Sequence, residues 1–341
     1  MDSSSGLHEL RLLLVSRTAK GDMTMLFLDR TATADALNWD QLIEAIAGLF
    51  AGGCVMPVRH HHGVAVPGEA EATLLLMPAW VPGSYIGVKL VSVFPDNSRR
   101  SLPAIHGSYL LSSGKTGEML AVIDGGELTA RRTAATSALA ARHLARADAS
   151  VLLVTGTGRL SLNLIEAHRT VRPISRVLIW GRDLSKAEAI AAEARALGHP
   201  AEAVADLEPA ARIADIISCA TLSHQPLIQG AWLKPGAHLD LVGAFKRDMR
   251  ESDDEAVRRA TLFVDTRDGA FAEAGDILQP LEAGIITRDD IRAELAELVT
   301  GRHAGRRSDD EITLFKSVGA ALEDLAGAIL AYETATDTSA A

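Results

Sequence analysis

Three basic side chains stand where packing alone would not place them. Lys89 interrupts Tyr85-Ile-Gly-Val-Lys-Leu-Val-Ser-Val-Phe94, a strand-like run that is apolar on both faces. An ammonium buried there is costly unless it has an anionic partner or a chemical task. The plainer reading is an edge strand whose lysine reaches out to water. Arg59 follows Cys54-Val-Met-Pro-Val58, and Arg132 comes early in Leu128-Thr-Ala-Arg-Arg-Thr-Ala-Ala135. Guanidinium groups grip carboxylates with two parallel hydrogen bonds. Arg59, Lys89 and Arg132 together therefore predict a site for a small anionic substrate. The neighbouring His60-His61-His62 does not predict a metal centre, because successive strand residues face opposite ways. It is expected to be a loop lining the substrate pocket.

A second constellation lies further on. Val151-Leu-Leu-Val154 runs into Thr155-Gly156-Thr157-Gly158-Arg159, and Leu160 opens a helical pattern. Glycines at these positions permit a tight turn and close backbone approach to a pyrophosphate, with the helix N-terminus behind it. Ser161 replaces the third glycine of the G-x-G-x-x-G fingerprint, so the match is degenerate. A strand before and a helix after are the context that the motif requires. The alternative is a tight turn that binds nothing. The next strand ends in Trp180-Gly181-Arg182-Asp183. A basic tip pairs with the 2′-phosphate of NADP(H), and an acidic one with the ribose of NAD(H). Arg182 favours NADP(H), while Asp183 beside it keeps NAD(H) open.

These residues need elements to hold them. A helix is expected over 38–50, with Asn38 or Asp40 as its cap. Strands are expected at Val55–Val58, Ala72–Met77, Tyr85–Phe94, His106–Leu111 and Glu118–Ile123, in hairpin succession. From Leu128–Ala147, an Ala-rich helix with Thr129 as a plausible N-cap, the character changes. Strands at Val151–Val154, Arg176–Trp180, Ala214–Ala220, His238–Val242 and Thr261–Asp265 alternate with helices at Leu160–Val171 and Ser185–Leu197. This predicts an α/β fold, a doubly wound parallel sheet of Rossmann type joined to an α+β half. A last helix is expected from Ser317 to Tyr332, with 334–341 frayed.

The bulk properties agree. The chain has 341 residues and a formal net charge of −10, which disfavours nucleic acid as a partner. No apolar run reaches membrane-spanning length, and Met1–Ser5 carries no signal-peptide pattern. Cys54 and Cys219 form neither a disulfide framework nor a zinc pattern, as suits a cytoplasmic protein.

The motifs, in order and spacing, resemble the ornithine cyclodeaminase/mu-crystallin family across nearly the whole chain. The matching segments are Val55-Met-Pro-Val-Arg59, Leu74-Leu-Leu-Met-Pro-Ala-Trp80, Gly87-Val-Lys-Leu-Val91 with Phe94-Pro95, Thr116-Gly117, Leu128–Ala135 and Thr313-Leu-Phe-Lys-Ser-Val-Gly319. The resemblance implies a homodimer. Residues 1–127 with 315–341 would form the substrate-binding and dimerisation domain, and 128–314 the dinucleotide-binding domain. It implies that Arg59, Lys89 and Arg132 contact the substrate, Lys89 as carboxylate clamp or proton donor. It further implies that Arg132, Gly156, Thr157, Gly158, Arg159, Leu160, Gly181, Arg182, Asp183, Thr221 and Ser317 surround the nucleotide.

One position departs from the ornithine cyclodeaminases. Where they carry an aspartate after Val-Gly-Gly, this chain has Phe245, in Val242-Gly-Ala-Phe-Lys-Arg-Asp-Met-Arg-Glu251. A phenyl ring cannot accept a proton or hold an ammonium. The segment instead resembles the branch that reduces cyclic imino acids, Δ1-pyrroline-2-carboxylate to L-proline and Δ1-piperideine-2-carboxylate to L-pipecolate, as in trans-3-hydroxy-L-proline degradation. Ornithine cyclodeamination, alanine dehydrogenation and a non-catalytic NADPH-binding role remain the alternatives.

Overall fold

The computed structural model describes residues 25–340, with side chains to residue 337. The reading of Met1–Ser5 lies outside the described residues. Among those described, two sheets carry the architecture. The first is built from β1 (Leu26–Leu28), β2 (His60–Val64), β3 (Ala72–Val81), β4 (Tyr85–Val93), β5 (Ile105–Ser113) and β6 (Met119–Asp124), in the order β1-β6-β5-β4-β3-β2. All its pairs are antiparallel except β1 with β6. Helices α1 (Arg30–Ala36) and α2 (Trp39–Gly52) precede β2. Asn38 caps α2 by accepting from the Asp40 amide.

Helix α3 (Gly125–Leu144) leads from the first sheet to the second. The second sheet is wholly parallel. In chain order its elements are β7 (Val151–Thr155), α4 (Leu160–Val171), β8 (Arg176–Trp180), α5 (Leu184–Ala196), β9 (Ala201–Ala203), α6 (Leu207–Ile213), β10 (Ile216–Cys219) and β11 (His238–Leu241). They continue with α7 (Asp254–Arg259), β12 (Thr261–Val264), α8 (Arg267–Glu273), α9 (Gly275–Glu282), β13 (Ile291–Glu294), α10 (Leu295–Val299), β14 (Thr313–Lys316) and α11 (Ala321–Ala340). The strand order is β13-β12-β14-β11-β10-β7-β8-β9. The order turns outward in both directions from the neighbours β7 and β10, and in such sheets ligands bind in a crevice at the carboxyl ends of that pair.

Alanine explains how the layers meet. The buried face of α3 includes Ala134, Ala135, Ala138 and Ala141, so α4 and α11 can approach its backbone closely. A Cβ on Gly327 of α11 would stand 2.7 Å from Leu128 Cδ1, which marks the crossing of α11 over α3. Leu128 and Leu139 are fully buried, and each such side chain contributes about 1.5–3 kcal/mol. A buried polar knot joins the helices to the second sheet. Asp240 on β11 accepts from Ser137 Oγ of α3 at 3.0 Å and Ser218 Oγ of β10 at 2.5 Å.

Several expected elements are corrected. Residues 55–58 make only an isolated bridge, Val55 with Trp80, and the strand begins at His60. Pro57 lacks the amide hydrogen needed to extend the ladder. His60, His61 and His62 are thus edge-strand residues, all exposed, rather than a pocket loop. Helix α3 begins at Gly125, not Leu128, because Asp124 accepts from the Glu127 amide as N-cap. Thr129 instead donates its hydroxyl to Gly125 O at 2.6 Å. The C-terminal helix starts at Ala321, not Ser317, and runs through 334–340, which were expected to be frayed. Thr313–Lys316, expected as neither strand nor helix, is a strand near the middle of the parallel sheet. Among the described residues, no helix is long and apolar enough to cross a membrane.

Candidate active site

Lys89 lies on β4, flanked by β3 and β5, so it is not an edge residue. It is buried, and its Nζ stands 2.6 Å from Asp324 Oδ2 in the first turn of α11. Arg132 of α3 closes the same cluster from the other side. Its Nε donates to Asp324 Oδ1 at 2.8 Å and its Nη1 to Glu323 Oε2 at 2.5 Å. Two cations and two carboxylates thus meet where β4, α3 and α11 converge. Burial pushes the Lys89 ammonium down to about 8, Asp324 opposing the shift and Arg132 reinforcing it. Burial pushes Glu323 up to about 7. Burial also works against the Asp324 carboxylate, yet Arg132 and Lys89 hold it below the ordinary aspartate range.

Arg59 reaches the same region from the segment before β2. Its Nη2 donates to Gly319 O at 3.1 Å, and its Nε lies 3.5 Å from Glu273 Oε1 of α8. Gly319 has φ +82°, and a Cβ there would stand 2.6 Å from Arg132 Nη1. That one residue therefore touches both arginines. Tyr109, cross-strand partner of Lys89, is fully buried, and among the described residues its hydroxyl has no hydrogen-bond partner. Burial first, then the Asp324 charge, keeps that hydroxyl protonated. A buried hydroxyl without an acceptor, on the strand position across from Lys89, is the kind of group a polar ligand satisfies.

The glycine turn has the form that a dinucleotide needs. Gly156 has φ +123°, and its amide donates to Trp180 O at 2.8 Å. A Cβ on Gly158 would meet nothing within 4 Å, so there is room beside the turn. Ser161 is buried, and its hydroxyl donates to Gly156 O at 3.0 Å and Gly158 O at 2.9 Å. The serine that degrades the fingerprint thus ties the turn together. Thr157 covers Gly181, where a Cβ would stand 2.6 Å from Thr157 Cγ2. Leu160 opens α4, and Arg159 precedes it with its Nη2 3.1 Å from Glu127 Oε2. At the tip of β8, Asp183 is committed as N-cap of α5, accepting from the Ser185 amide and hydroxyl. Arg182 is exposed.

Thr221 and Ser317 sit at the same sheet edge. The amide and hydroxyl of Thr221 donate to Glu251, and the Ser317 hydroxyl donates to Asp265 Oδ2 at 2.8 Å. Phe245 lies half exposed on the loop after β11, with Lys246 Nζ 5.9 Å from its ring centroid.

Sequence reasoning missed Glu323, Asp324, Glu273, Tyr109 and Glu251. The first two left a signal. An acidic pair in Ala320-Ala-Leu-Glu-Asp-Leu-Ala326 stands in an otherwise apolar stretch at the start of that helix, the mirror image of Lys89 in its strand.

A parallel Rossmann sheet with this turn, joined to a largely antiparallel sheet, defines a dinucleotide-binding fold of two sheets. The chain belongs to the ornithine cyclodeaminase/mu-crystallin family, whose model matches residues 24–339. It is 45% identical over 286 residues to the protein SAR DEFICIENT 4 of Arabidopsis thaliana, covering 82% of this chain and 86% of that one. It is 37% identical to a Δ1-pyrroline-2-carboxylate reductase of Paracoccus denitrificans, covering 88% and 93%. Among solved structures it matches the Δ1-pyrroline-2-carboxylate reductase of Thermococcus litoralis in complex with NADH and L-proline. That match has a TM-score of 0.86 and 36% identity, covering 92% of this chain and 98% of that one.

Proposed function

We propose that this protein is an NAD(P)H-dependent oxidoreductase that reduces Δ1-pyrroline-2-carboxylate to L-proline, and the six-membered Δ1-piperideine-2-carboxylate to L-pipecolate. The carrying observation is the buried cluster of Lys89 with Arg132, Glu323 and Asp324, with Arg59 close by, in a chain that also carries the glycine turn at Gly156 and Gly158. Relatives named for this reduction support the reading. The same reading makes the protein a cytoplasmic homodimer acting in trans-3-hydroxy-L-proline degradation. Its substrate domain would comprise residues 1–127 and 315–341, and its nucleotide domain 128–314.

The residues fit the nucleotide. Gly156, Thr157, Gly158, Arg159 and Leu160 would hold the pyrophosphate at the start of α4, where amides and the helix dipole favour an anion. Gly181, Arg182 and Asp183 would border the ribose, with Thr221 and Ser317 further along the crevice. Asp183 already caps α5, whereas Arg182 is an exposed guanidinium at the tip. That difference supports NADP(H) over NAD(H). A bound reduced nicotinamide supplies the hydride for C2 of the imine.

The chain's own side chains do the rest. Arg59 holds the substrate carboxylate by exchanging its Glu273 contact for it, and Arg132 borders both substrate and cofactor. Carboxylate fixation sets which ring face is presented. Lys89, with its pKa near 8, is protonated at neutral pH and can hold or give a proton at the ring nitrogen. Asp324 keeps it charged. Phe245 offers an apolar edge that excludes water, and it has no carboxylate for the amine chemistry of ornithine cyclodeamination.

The test is loss of reduced-nucleotide absorbance with NADPH and with NADH, each against Δ1-pyrroline-2-carboxylate. Turnover with either supports the proposal. No oxidation with both, or ammonia release from L-ornithine without added cofactor, rejects it.

A further inference from the structure

One buried carboxylate at the crevice has no part in the proposed reaction. Glu251 is fully buried in the segment that returns after β11. Its Oε1 accepts from the Thr221 amide at 2.6 Å and the Thr221 hydroxyl at 2.7 Å. Its Oε2 accepts from the amides of Gly243 at 2.9 Å and Ala244 at 3.2 Å. Thr221 follows β10 and Gly243 follows β11, two neighbouring parallel strands. A single side chain thus ties together two loops at the carboxyl edge of the sheet, where ligands of this fold bind. The loops are in close contact. A Cβ on Gly243 would stand 2.1 Å from both the amide nitrogen and the carbonyl oxygen of Thr221.

The clamp is itself held. The Glu251 amide donates to Asp276 Oδ1 at 2.8 Å, and its carbonyl accepts from the amides of Leu227 and Ile228 at 2.9 Å and 3.0 Å. Asp276 Oδ2 lies 3.1 Å from Lys316 Nζ, both side chains fully buried. A carboxylate present only to balance Lys316 would face it directly. Here Asp276 makes the direct 3.1 Å pair; the Lys316 charge also favours the Glu251 carboxylate, but both oxygens of Glu251 accept from the crevice loops.

We infer that Glu251 is a positioning residue for the dinucleotide: its carboxylate sets the spacing of the Thr221 and Gly243–Ala244 loops that flank the bound cofactor. This rests on the dinucleotide-dependent reading above. Glutamine has the same shape but only one acceptor oxygen. Whichever way its amide turns, its NH2 faces the donors of one loop, and that loop is pushed away. Aspartate keeps the charge but reaches less far.

The experiment is calorimetric titration of the full-length protein with NADH and NADPH, alongside turnover and thermal unfolding. The variants are Glu251→Gln and Glu251→Asp. A Leu139→Ala variant, in the packed face of α3, supplies general destabilisation as a control. The expected result is a Kd raised about 10-fold or more in Glu251→Gln and less in Glu251→Asp. Leu139→Ala should lose stability and keep its Kd. Unchanged affinity in both Glu251 variants overturns the inference. So does a loss of affinity that Leu139→Ala shares at equal loss of stability. Where Glu251→Gln does not fold, Glu251→Asp decides by the same comparison. A wild-type protein that binds and turns over while its Glu251 variants bind equally well removes this inference alone. One that binds neither nucleotide removes the functional reading with it.

Discussion

Asp324→Asn isolates the role of charge in the Lys89 cluster. The two charges are 2.6 Å apart and both groups are buried. At an effective dielectric of about 20, such a pair interacts by about 6 kcal/mol. At about 1.4 kcal/mol per pKa unit, that is an upper bound of about 4 units. Arg132 already draws on the same carboxylate, and the site relaxes when the charge is lost, so about 2–3 units is the working figure. Lys89 would fall from about 8 to between about 5 and 6, with burial and Arg132 unopposed. At about pH 7 its protonated fraction then drops from about nine-tenths to a few per cent, about 30-fold. The assay is kcat/KM for Δ1-pyrroline-2-carboxylate against pH, which reports groups of the free enzyme. Activity that needs protonated Lys89 is present below its pKa and lost as pH rises through it. The wild-type alkaline limb should lie near 8, and the variant's limb should move down by about 2–3 units. The substrate's own ionisation is common to both proteins and cancels in the comparison. Breaking a buried pair also costs about 3–5 kcal/mol, part of which Lys89 recovers by losing its proton, so unfolding is followed in parallel. An alkaline limb that stays in place in a folded Asp324→Asn protein refutes the argument.

Arg182→Ala should weaken NADPH by about 10-fold to 100-fold and leave NADH nearly unchanged, the loss expected for charge-assisted hydrogen bonds. Equal losses in a titration of both nucleotides reject the 2′-phosphate reading. Gly319→Ala should lower the unfolding midpoint, because its φ is +82° and the added Cβ meets Arg132 Nη1. The backbone alone costs about 1–3 kcal/mol, and KM should rise because the Gly319 carbonyl also orients Arg59. An unchanged midpoint and KM contradict the packing described. Asp240, Asp324 and Asp215 all titrate below their ordinary value of 3.8 in the folded protein. The unfolded chain therefore binds more protons, so the stability they add is present above the unfolded value and lost as pH falls through the folded ones. Urea midpoints measured down to acid pH should fall in that window, and less steeply in Asp240→Asn.

What could be read in advance followed the range of each interaction. The turn at Gly156 and Gly158 is local, with strand, glycines and helix contiguous in sequence, and it was legible despite Ser161. Lys89 and Arg132 were legible as anomalies, charges in runs where desolvation should forbid them. Their partners Glu323 and Asp324 left only an acidic pair among apolar residues, and which cations they would meet was not legible, because hydrogen bonding over such sequence separation leaves no spacing to recognise. Helix α3 shows the same limit on a smaller scale. Both Thr129 and Asp124 are acceptable caps by type, Asp124 the better, and the backbone path from β6 starts the helix at Asp124. The strand expected at Val55–Val58 was displaced because periodicity does not register the lost donor at Pro57.

The central position of β14 joins these pieces into one mechanism. The strand pairs with β11 and β12 inside the parallel sheet, which buries Lys316 against Asp276 behind the Glu251 clamp. Immediately after it, Asp265 gathers the Ser317 hydroxyl and the amides of Val318 and Gly319 on one oxygen. That fixes the turn at Gly319, and the turn delivers Glu323 and Asp324 to Arg132 and Lys89. The segment from Thr313 to Asp324 is therefore anchored at one end in the floor of the proposed nucleotide crevice and at the other in the cationic cluster. A shift of β14 in the sheet must displace Asp324 relative to Lys89, since the intervening turn is held by three hydrogen bonds to a single buried carboxylate oxygen. The floor of the proposed nucleotide crevice and the carboxylate beside Lys89 are in this way carried on one continuous stretch of chain.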